Sequence, residues 1–181
     1  MARKKTILKS HILDTAYAVV KKEGFEGFTA RNIAKTMDCS TQPIYLEFKN
    51  MDDLKNELYV KIKDYLTETI FANDRSEDPI LNICLNFVHF AKDEPIFFKA
   101  LFLENHLEPK KMHNLPYEEM LKAFEDQAQT NSLSEAEKRV LFETIWISVY
   151  GTAALLAQNL IELDEVALKN SLEKKINELI N

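Results

Sequence analysis

The sequence predicts an all-α fold of about nine helices. Only 3 glycines occur among 181 residues, and hydrophobic residues make up 46% of the chain. Over most of the sequence these hydrophobic residues recur at intervals of three and four, the spacing of one helix face. Because the tight turns between strands commonly need glycine, this composition favours helices over sheets.

Charge divides the chain into a basic head and an acidic body. Residues 1–50 contain nine Lys or Arg and five Asp or Glu, which is a net charge of +4 in a chain of net charge −6. Residues 51–181 therefore carry −10. We predict two domains, 1–50 and 51–181, joined by a long helix over 51–71, and a polyanion as partner of the first. A random surface excess would produce the same asymmetry.

The head begins with two predicted helices. Apolar residues at helical spacing run from Leu8 to Val20, and Gly24 is expected to end this helix. Thr6 is a possible N-cap for it. Thr29 is a natural N-cap for a second helix over 30–37.

A tight turn and a third short helix follow. Asp38 lies where the chain must turn sharply, and aspartate tolerates a left-handed conformation better than most residues. Ser40 is expected to cap a helix over 41–48. Asn50 is then expected to cap the long helix that starts at residue 51.

The body is predicted to contain five further helices. An acidic segment separates them from the head, and a loop over 106–116 is expected because that segment holds two prolines and two histidines. The predicted helices cover residues 80–93, 96–105, 117–130, 134–158 and 164–179.

The segment 24–58, GFEGFTARNIAKTMDCSTQPIYLEFKNMDDLKNEL, resembles the helix-turn-helix DNA-binding head of TetR-type transcriptional regulators. The resemblance covers the first third of the chain, and the remainder matches only in being helical and of suitable length. The residues that carry it are Gly24, Gly27, Thr29, Ile33, Ala34, Tyr45, Phe48, Asn50 and Leu54.

The resemblance implies that the helix over 41–48 enters the major groove of double-stranded DNA. Gln42 would hydrogen-bond N6 and N7 of an adenine, and Pro43 would offer an apolar face to a thymine methyl. Tyr45 would contact a phosphate. The full expected contact set is Thr29, Arg31, Ser40, Thr41, Gln42, Pro43, Tyr45 and Lys49.

Three positions depart from the family pattern. Met51 replaces the usual lysine, so one phosphate contact is expected to be lost, and Glu47 places an acid near the DNA backbone. Asp38 replaces the usual glycine and is expected to keep the turn with mild strain. The basic segment Arg3-Lys4-Lys5 is expected to compensate by reaching DNA.

The resemblance also implies that the body dimerises, because a palindromic operator needs two recognition helices. The segment 143–160 is rich in small residues and would pair with 164–179 in a four-helix bundle across a two-fold axis. An intrachain core pair is the alternative. The expected interface residues are Gly151, Ala154, Leu155, Leu168, Leu172 and Ile176.

An effector pocket is a further expectation, since the body is dense in aromatic side chains with a few polar groups. Plain core packing is the alternative for each of these residues. The candidate lining residues are Phe87, His89, Phe90, Phe98, Phe102, Tyr117, Phe124, Trp146 and Tyr150.

Together these features predict a cytoplasmic, homodimeric DNA-binding regulator, a repressor released from its operator by a small apolar or aromatic effector. We expect no enzyme activity, cofactor, metal site or membrane span, because the common catalytic motifs and long uncharged segments are missing from the sequence. The alternatives are a ligand-independent DNA-binding activator or organiser and, in another class, an all-α protein-interaction module.

Overall fold

The computed structural model describes residues 7–180, and within that range all regular secondary structure is helical, as predicted. The chain forms two compact units, one ending at Asp64 and the other beginning at Tyr65. Ten α-helical segments occur in the described residues, one more than expected. They are α1 (Lys9–Glu23), α2 (Ala30–Thr36), α3 (Gln42–Glu47), α4 (Met51–Tyr65), α5 (Pro79–Asp93), α6 (Pro95–Phe98), α7 (Pro109–Asp126), α8 (Ala128–Asn131), α9 (Glu135–Ala157) and α10 (Glu165–Ile180).

The N-terminal unit is held by one apolar cluster to which α1, α2, α3 and α4 all contribute. Ala16 and Ala34 lie among larger aliphatic side chains, and small residues let helices approach closely. Two ion pairs, Lys61 with Asp14 and Lys9 with Glu57, also connect α1 to α4. The buried members of the cluster are Ile12, Ala16, Val19, Ile33, Ala34, Ile44, Phe48 and Leu54.

The predicted helix caps of this unit are mostly confirmed. Gly24 ends α1, and the Thr29 hydroxyl accepts a hydrogen bond from the Asn32 backbone N–H at 3.1 Å. Asn50 caps α4, its side-chain oxygen lying 2.8 Å from the Asp53 nitrogen. The expected Thr6 cap lies outside the described residues.

The prediction that Ser40 caps α3 is wrong. Thr41 is the residue that precedes the helix, and its side chain makes no capping hydrogen bond. Thr41 already has helical dihedral angles (φ −72°, ψ −14°), and its carbonyl accepts from the Ile44 N–H at 3.1 Å. Since Thr41 already begins the first turn, the cap position is displaced from Ser40.

The turn between α2 and α3 is built on Asp38, whose φ is 52°. The Cys39 N–H donates to the Ala34 carbonyl at 3.0 Å, and the Asp38 N–H donates to the Lys35 carbonyl at 3.1 Å. This pair of bonds is the Schellman ending of a helix, which normally has glycine at the left-handed position. The prediction that aspartate keeps this turn is confirmed.

The C-terminal unit is built around α5. Eleven of its fifteen residues are buried, from Ile80 to Ala91, so the helix is enclosed on nearly every side. Helix α9 packs along it and starts with a capping box, in which Ser134 and Glu137 each bond the backbone N–H of the other. This pair of helices forms the centre of the unit.

The prediction of a loop over 106–116 is wrong, because most of that segment belongs to α7. Pro109 lies in the first turn of α7, where its missing N–H has no partner to lose. Pro116 lies inside the helix and is buried, together with Met112 and Leu115. Burial of this apolar face offsets the hydrogen bond that Pro116 cannot make.

Two of the helices continue as a π-helical turn. Helix α4 is followed by Leu66–Ile70, and α6 by Lys99–Leu103. In these turns each bond spans five residues, as between the Phe71 N–H and the Leu66 carbonyl at 2.8 Å. The single helix predicted over 51–71 therefore changes its winding at residue 66.

Helix α9 is long and apolar enough to cross a membrane, judged by length and composition alone. It also carries charged residues at its start, and one side packs inside the unit through Phe142, Ile145, Trp146 and Val149. A core helix of a globular protein has the same properties.

Helix α10 is joined to α5 by a small charged cluster. The Glu165 carboxylate lies 3.1 Å from His89 Nε2 and also accepts a hydrogen bond from Lys92 at 3.1 Å. The pKa of His89 is lowered, first by burial and then by the Arg75 guanidinium; the carboxylates of Glu165 and Asp93 oppose this shift, whereas Lys92 adds to it.

The turn at Asp38 predicts opposite effects for two substitutions. Asp38→Gly should raise the free energy of unfolding by about 0.5–1 kcal/mol, because glycine adopts this φ without steric cost. Asp38→Ala should lower it by a similar amount. Urea denaturation followed by circular dichroism measures both, and equal signs for the two variants would contradict the strain that we assign to this position.

The lowered pKa of His89 predicts a loss of stability in mild acid. Because the unfolded chain binds a proton at this residue near pH 6.5 and the folded chain only at lower pH, stability is lost as pH falls below about 6.5. We expect His89→Gln, which keeps a hydrogen-bond donor, to lose less stability than wild type between pH 7 and 5. His11→Gln, at an exposed histidine, is the control. Identical pH profiles for wild type and His89→Gln in urea denaturation would refute the assignment.

Candidate nucleic-acid interface

The inner face of α3 fixes its orientation in the N-terminal unit. Ile44 and Phe48 are fully buried in the apolar cluster. Since α-helical residues are 100° apart around the axis, the opposite side of α3 carries Gln42 and Leu46, with Tyr45 beside them. All three side chains are exposed, Tyr45 to 54% and Leu46 to 73%.

The other expected contacts of α3 lie at the edges of this outer face. Thr41 and Pro43 are half-buried, and Ser40 is exposed in the preceding turn. Pro43 lies in the first turn of the helix. Ser40, Gln42 and Tyr45 are thus exposed on this short segment, whereas Thr41 and Pro43 are half-buried.

The start of α2, where Arg31 lies, is held by three hydrogen bonds of Asn32. The Asn32 side-chain amide donates to Glu23 at 2.8 Å and to the Gly27 carbonyl at 3.1 Å. Its backbone N–H bonds the Thr29 hydroxyl, so the Thr29 oxygen is used as a cap. Arg31, which precedes Asn32 in the first turn, is exposed to solvent.

Position 27 requires glycine because a larger side chain would collide with α1. A Cβ atom at this position would lie 2.9 Å from the Glu23 side chain and 3.0 Å from Val19. These contacts are shorter than side chains tolerate, so glycine permits the close approach of the loop to α1. The same approach places the Gly27 carbonyl where Asn32 bonds it.

The acid at Glu47 has a positive neighbour that the sequence did not reveal. The pKa of Lys9 is raised, chiefly by its hydrogen bond to Glu57, with smaller effects from the carboxylates of Asp53 and Glu47. The Lys9 ammonium also lies 5.1 Å from the centre of the Phe48 ring. Lys9 therefore offsets part of the negative charge of Glu47 beside α3.

Lys49 lies between α3 and α4 with an exposed side chain. Its backbone N–H donates to the Asp53 carboxylate at 3.0 Å, which fixes the backbone at the start of α4. The segment Arg3-Lys4-Lys5, from which an additional DNA contact was expected, lies outside the described residues.

In the body, most of the candidate pocket residues fill the core. The Phe87 ring lies at the centre, with ring centroids at 4.5 Å from Trp146, 4.9 Å from Phe102 and 5.1 Å from Phe98. Edge-to-face and tilted pairs of this kind stabilise a close-packed interior. Phe90 and Phe124 are also buried.

Two of the candidate pocket residues lie apart from this aromatic core. His89 contacts Glu165 at the start of α10, where Asp74, Arg75 and Lys169 help to line a surface pocket. Tyr117 lies beneath the Arg139 guanidinium, 3.5 Å from the ring centre. The structure does not bring His89 and Tyr117 to a common site.

Beside the core lie two neighbouring cavities, of about 160 Å³ and 460 Å³. His113 and Tyr150 line both of them, and Trp146 lines the larger. The Tyr150 hydroxyl donates a hydrogen bond to the Phe102 carbonyl, and burial raises its pKa. Sequence reasoning missed His113 because it assigned the residue to a loop.

The candidate dimer residues separate into two groups. Leu172 and Ile176 are buried within the single chain, and Leu168 is half-buried. Gly151, Ala154 and Leu155 lie on the outward side of α9 and retain solvent exposure. This side also carries Val140 and Ile147, which were not in the predicted set and are exposed to 63% and 75%.

Comparison with known proteins connects the N-terminal unit to a family. Residues 12–58 match the sequence model of the bacterial regulatory proteins of the tetR family. No curated protein matches the chain by sequence.

Two solved structures share the fold over nearly the whole chain. A protein of Vibrio parahaemolyticus assigned to the TetR family of transcriptional regulators is 16% identical, with a TM-score of 0.66 over 93% of this chain and 96% of that chain. A protein of Mesorhizobium loti assigned to the same family is 15% identical, with a TM-score of 0.52 over 94% of this chain and 92% of that one. Neither the matched family nor these structures describe an enzyme.

The matched residues run from α1 into α4 and include both helices of the expected helix-turn-helix. They carry the predicted cap at Thr29, the turn at Asp38 and the exposed face of α3. Residues 12–58 are therefore a domain of the kind found in the tetR family of bacterial regulatory proteins.

Proposed function

We propose that this regulator is a cytoplasmic, homodimeric transcriptional repressor that reads a palindromic operator and is released by a small apolar or aromatic effector. The observation that carries the DNA-reading part is the outer face of α3, where Gln42 and Tyr45 are exposed on a helix whose other side is fully buried. A short α-helix with such side chains fits the width of the major groove.

The contacts divide into base readers and positioning groups. Gln42 offers an amide that can bond both N6 and N7 of an adenine, and Thr41 can donate to or accept from a base edge. Tyr45, Arg31 and Lys49 bond phosphates, which sets the register of the protein on the duplex without reading sequence.

The outward side of α9 supports the homodimer. Gly151 lies in the middle of a 23-residue helix, where glycine costs about 1 kcal/mol relative to alanine. Within the protomer nothing lies within 4 Å of a Cβ built there, so its own packing does not require a glycine. Close approach of α9 from a second copy of the chain would explain the glycine at position 151. In such a dimer Ile147 and Leu155 would be buried beside the point where the two helices cross.

The cavities lined by His113 and Tyr150 are the proposed effector site. Trp146 and Ile147 give the larger cavity an apolar wall, and the His113 imidazole, the Tyr150 phenol and the Glu143 carboxylate supply the polar groups. Such a site suits a flat, weakly polar molecule. Because Ile147 and Gly151 also belong to the proposed dimer face, an effector bound here would act next to the subunit interface.

Selection of duplexes from a random-sequence library tests the DNA-reading part. Wild type should enrich a palindrome, and Gln42→Ala should weaken binding to it by about 10- to 100-fold through loss of a bidentate contact. Asn56→Ala, at an exposed amide on α4, is the matched control and should bind normally. Binding by gel shift should also weaken steeply between 50 and 200 mM salt. A flat salt response, or equal affinities for wild type and Gln42→Ala, would contradict the groove assignment.

Placing a charge on α9 tests the dimer. Ile147→Asp should shift the protein from dimer to monomer at micromolar concentration and reduce operator affinity, because a carboxylate would be buried at the interface without a partner. Ile96→Asp changes another exposed isoleucine of the same unit and should remain dimeric. Sedimentation velocity measures both, and a dimer of unchanged stability in the Ile147→Asp variant would exclude this face.

A further inference from the structure

The side chain at the centre of the outer face of α3 is an aliphatic one. Leu46 is exposed to 73%, the largest exposure among the exposed large hydrophobic residues of the N-terminal unit. It lies almost opposite Ile44 and Phe48, the two side chains that anchor α3 in the core. Leu46 therefore lies at the centre of the face that α3 presents to solvent.

Its neighbours on the helix surface combine polar and apolar contacts. Gln42 lies four residues earlier, one turn away on the same side, and Pro43 lies three residues earlier. Pro43 is half-buried and adds an apolar surface beside Leu46. The outer surface of α3 thus carries the Gln42 amide, followed by the aliphatic carbons of Pro43 and Leu46.

The chemistry of the major groove restricts what Leu46 can contact there. A leucine side chain has no hydrogen-bond donor or acceptor, so it cannot read the polar edges of the bases or bond a phosphate. The only apolar group that a base pair presents in this groove is the C5-methyl of thymine. Contact with that methyl removes apolar surface of both partners from water.

We infer that Leu46 is a specificity-determining residue that selects a thymine through its methyl group. This inference rests on the proposed operator binding through α3. One helical turn advances about 5.4 Å, whereas successive bases on a strand are about 3.4 Å apart. The thymine therefore lies one or two base pairs from the adenine that Gln42 reads, once in each half-site.

Replacing thymine by uracil tests the contact, because uracil lacks only the methyl group and keeps the base-pairing hydrogen bonds. The probe is the duplex that wild type enriches from a random-sequence library, with uracil placed at one thymine position at a time in both half-sites. At one position we expect wild-type affinity to fall by about fourfold per half-site, the effect of burying one methyl. Leu46→Ala should bind the thymine and uracil duplexes equally at that position.

Val60→Ala is the matched control, since Val60 is an aliphatic residue on α4 exposed to 55%. It should retain the wild-type preference for thymine. Because Leu46 is exposed, its replacement by alanine should leave the urea denaturation midpoint nearly unchanged, which separates a lost contact from a lost fold.

The possible results decide between the two proposals. If wild type enriches a duplex but tolerates uracil at every thymine, the inference about Leu46 is overturned and operator binding stands. The inference also fails if Leu46→Ala keeps the full preference for thymine, because another residue then reads the methyl. Failure to enrich any duplex overturns both proposals.

Discussion

The burial of Ile44 and Phe48 is the constraint on which the N-terminal unit depends. A helix of six residues is too short to be stable in water by its own hydrogen bonds, so α3 exists because its inner face is packed. The same packing fixes which side chains face outward. The position of each exposed side chain on α3 thus depends on two buried side chains, and loss of either would disturb the whole outer face of the helix.

Much of the N-terminal unit could be predicted from its sequence because its elements begin and end on local signals. Thr29, Asn50 and Gly24 act through the nearest backbone groups, and Asp38 acts through its own φ angle. Ser40 does not cap α3 because the next residue, Thr41, already has helical dihedral angles and is itself the residue that precedes the helix. Lys9 was missed as a positive charge near Glu47 because residues 38 positions apart are brought together only by tertiary packing.

The body was harder to predict for a physical reason. Aromatic residues at helical spacing line a cavity or fill a core with the same pattern, and only the ring distances around Phe87 distinguish the two. The prolines at 109 and 116 indicated a loop, yet the buried face of α7 compensates for the missing hydrogen bond. Leu172 and Ile176 were predicted at a dimer interface but are buried within the single chain. The periodicity of the sequence reveals an apolar helix face, but it does not tell whether the same chain or a second copy covers that face.

The π-helical turns after α4 and α6 have a consequence for how this chain can vary in length. Each hydrogen bond in Leu66–Ile70 and Lys99–Leu103 encloses one residue more than in an ordinary helix. Deletion of a single residue there would restore the ordinary winding and leave the following side chains in the same phase around the axis. Homologues one residue shorter at either turn can therefore preserve the same aromatic packing, and alignments should place single-residue gaps at these two positions.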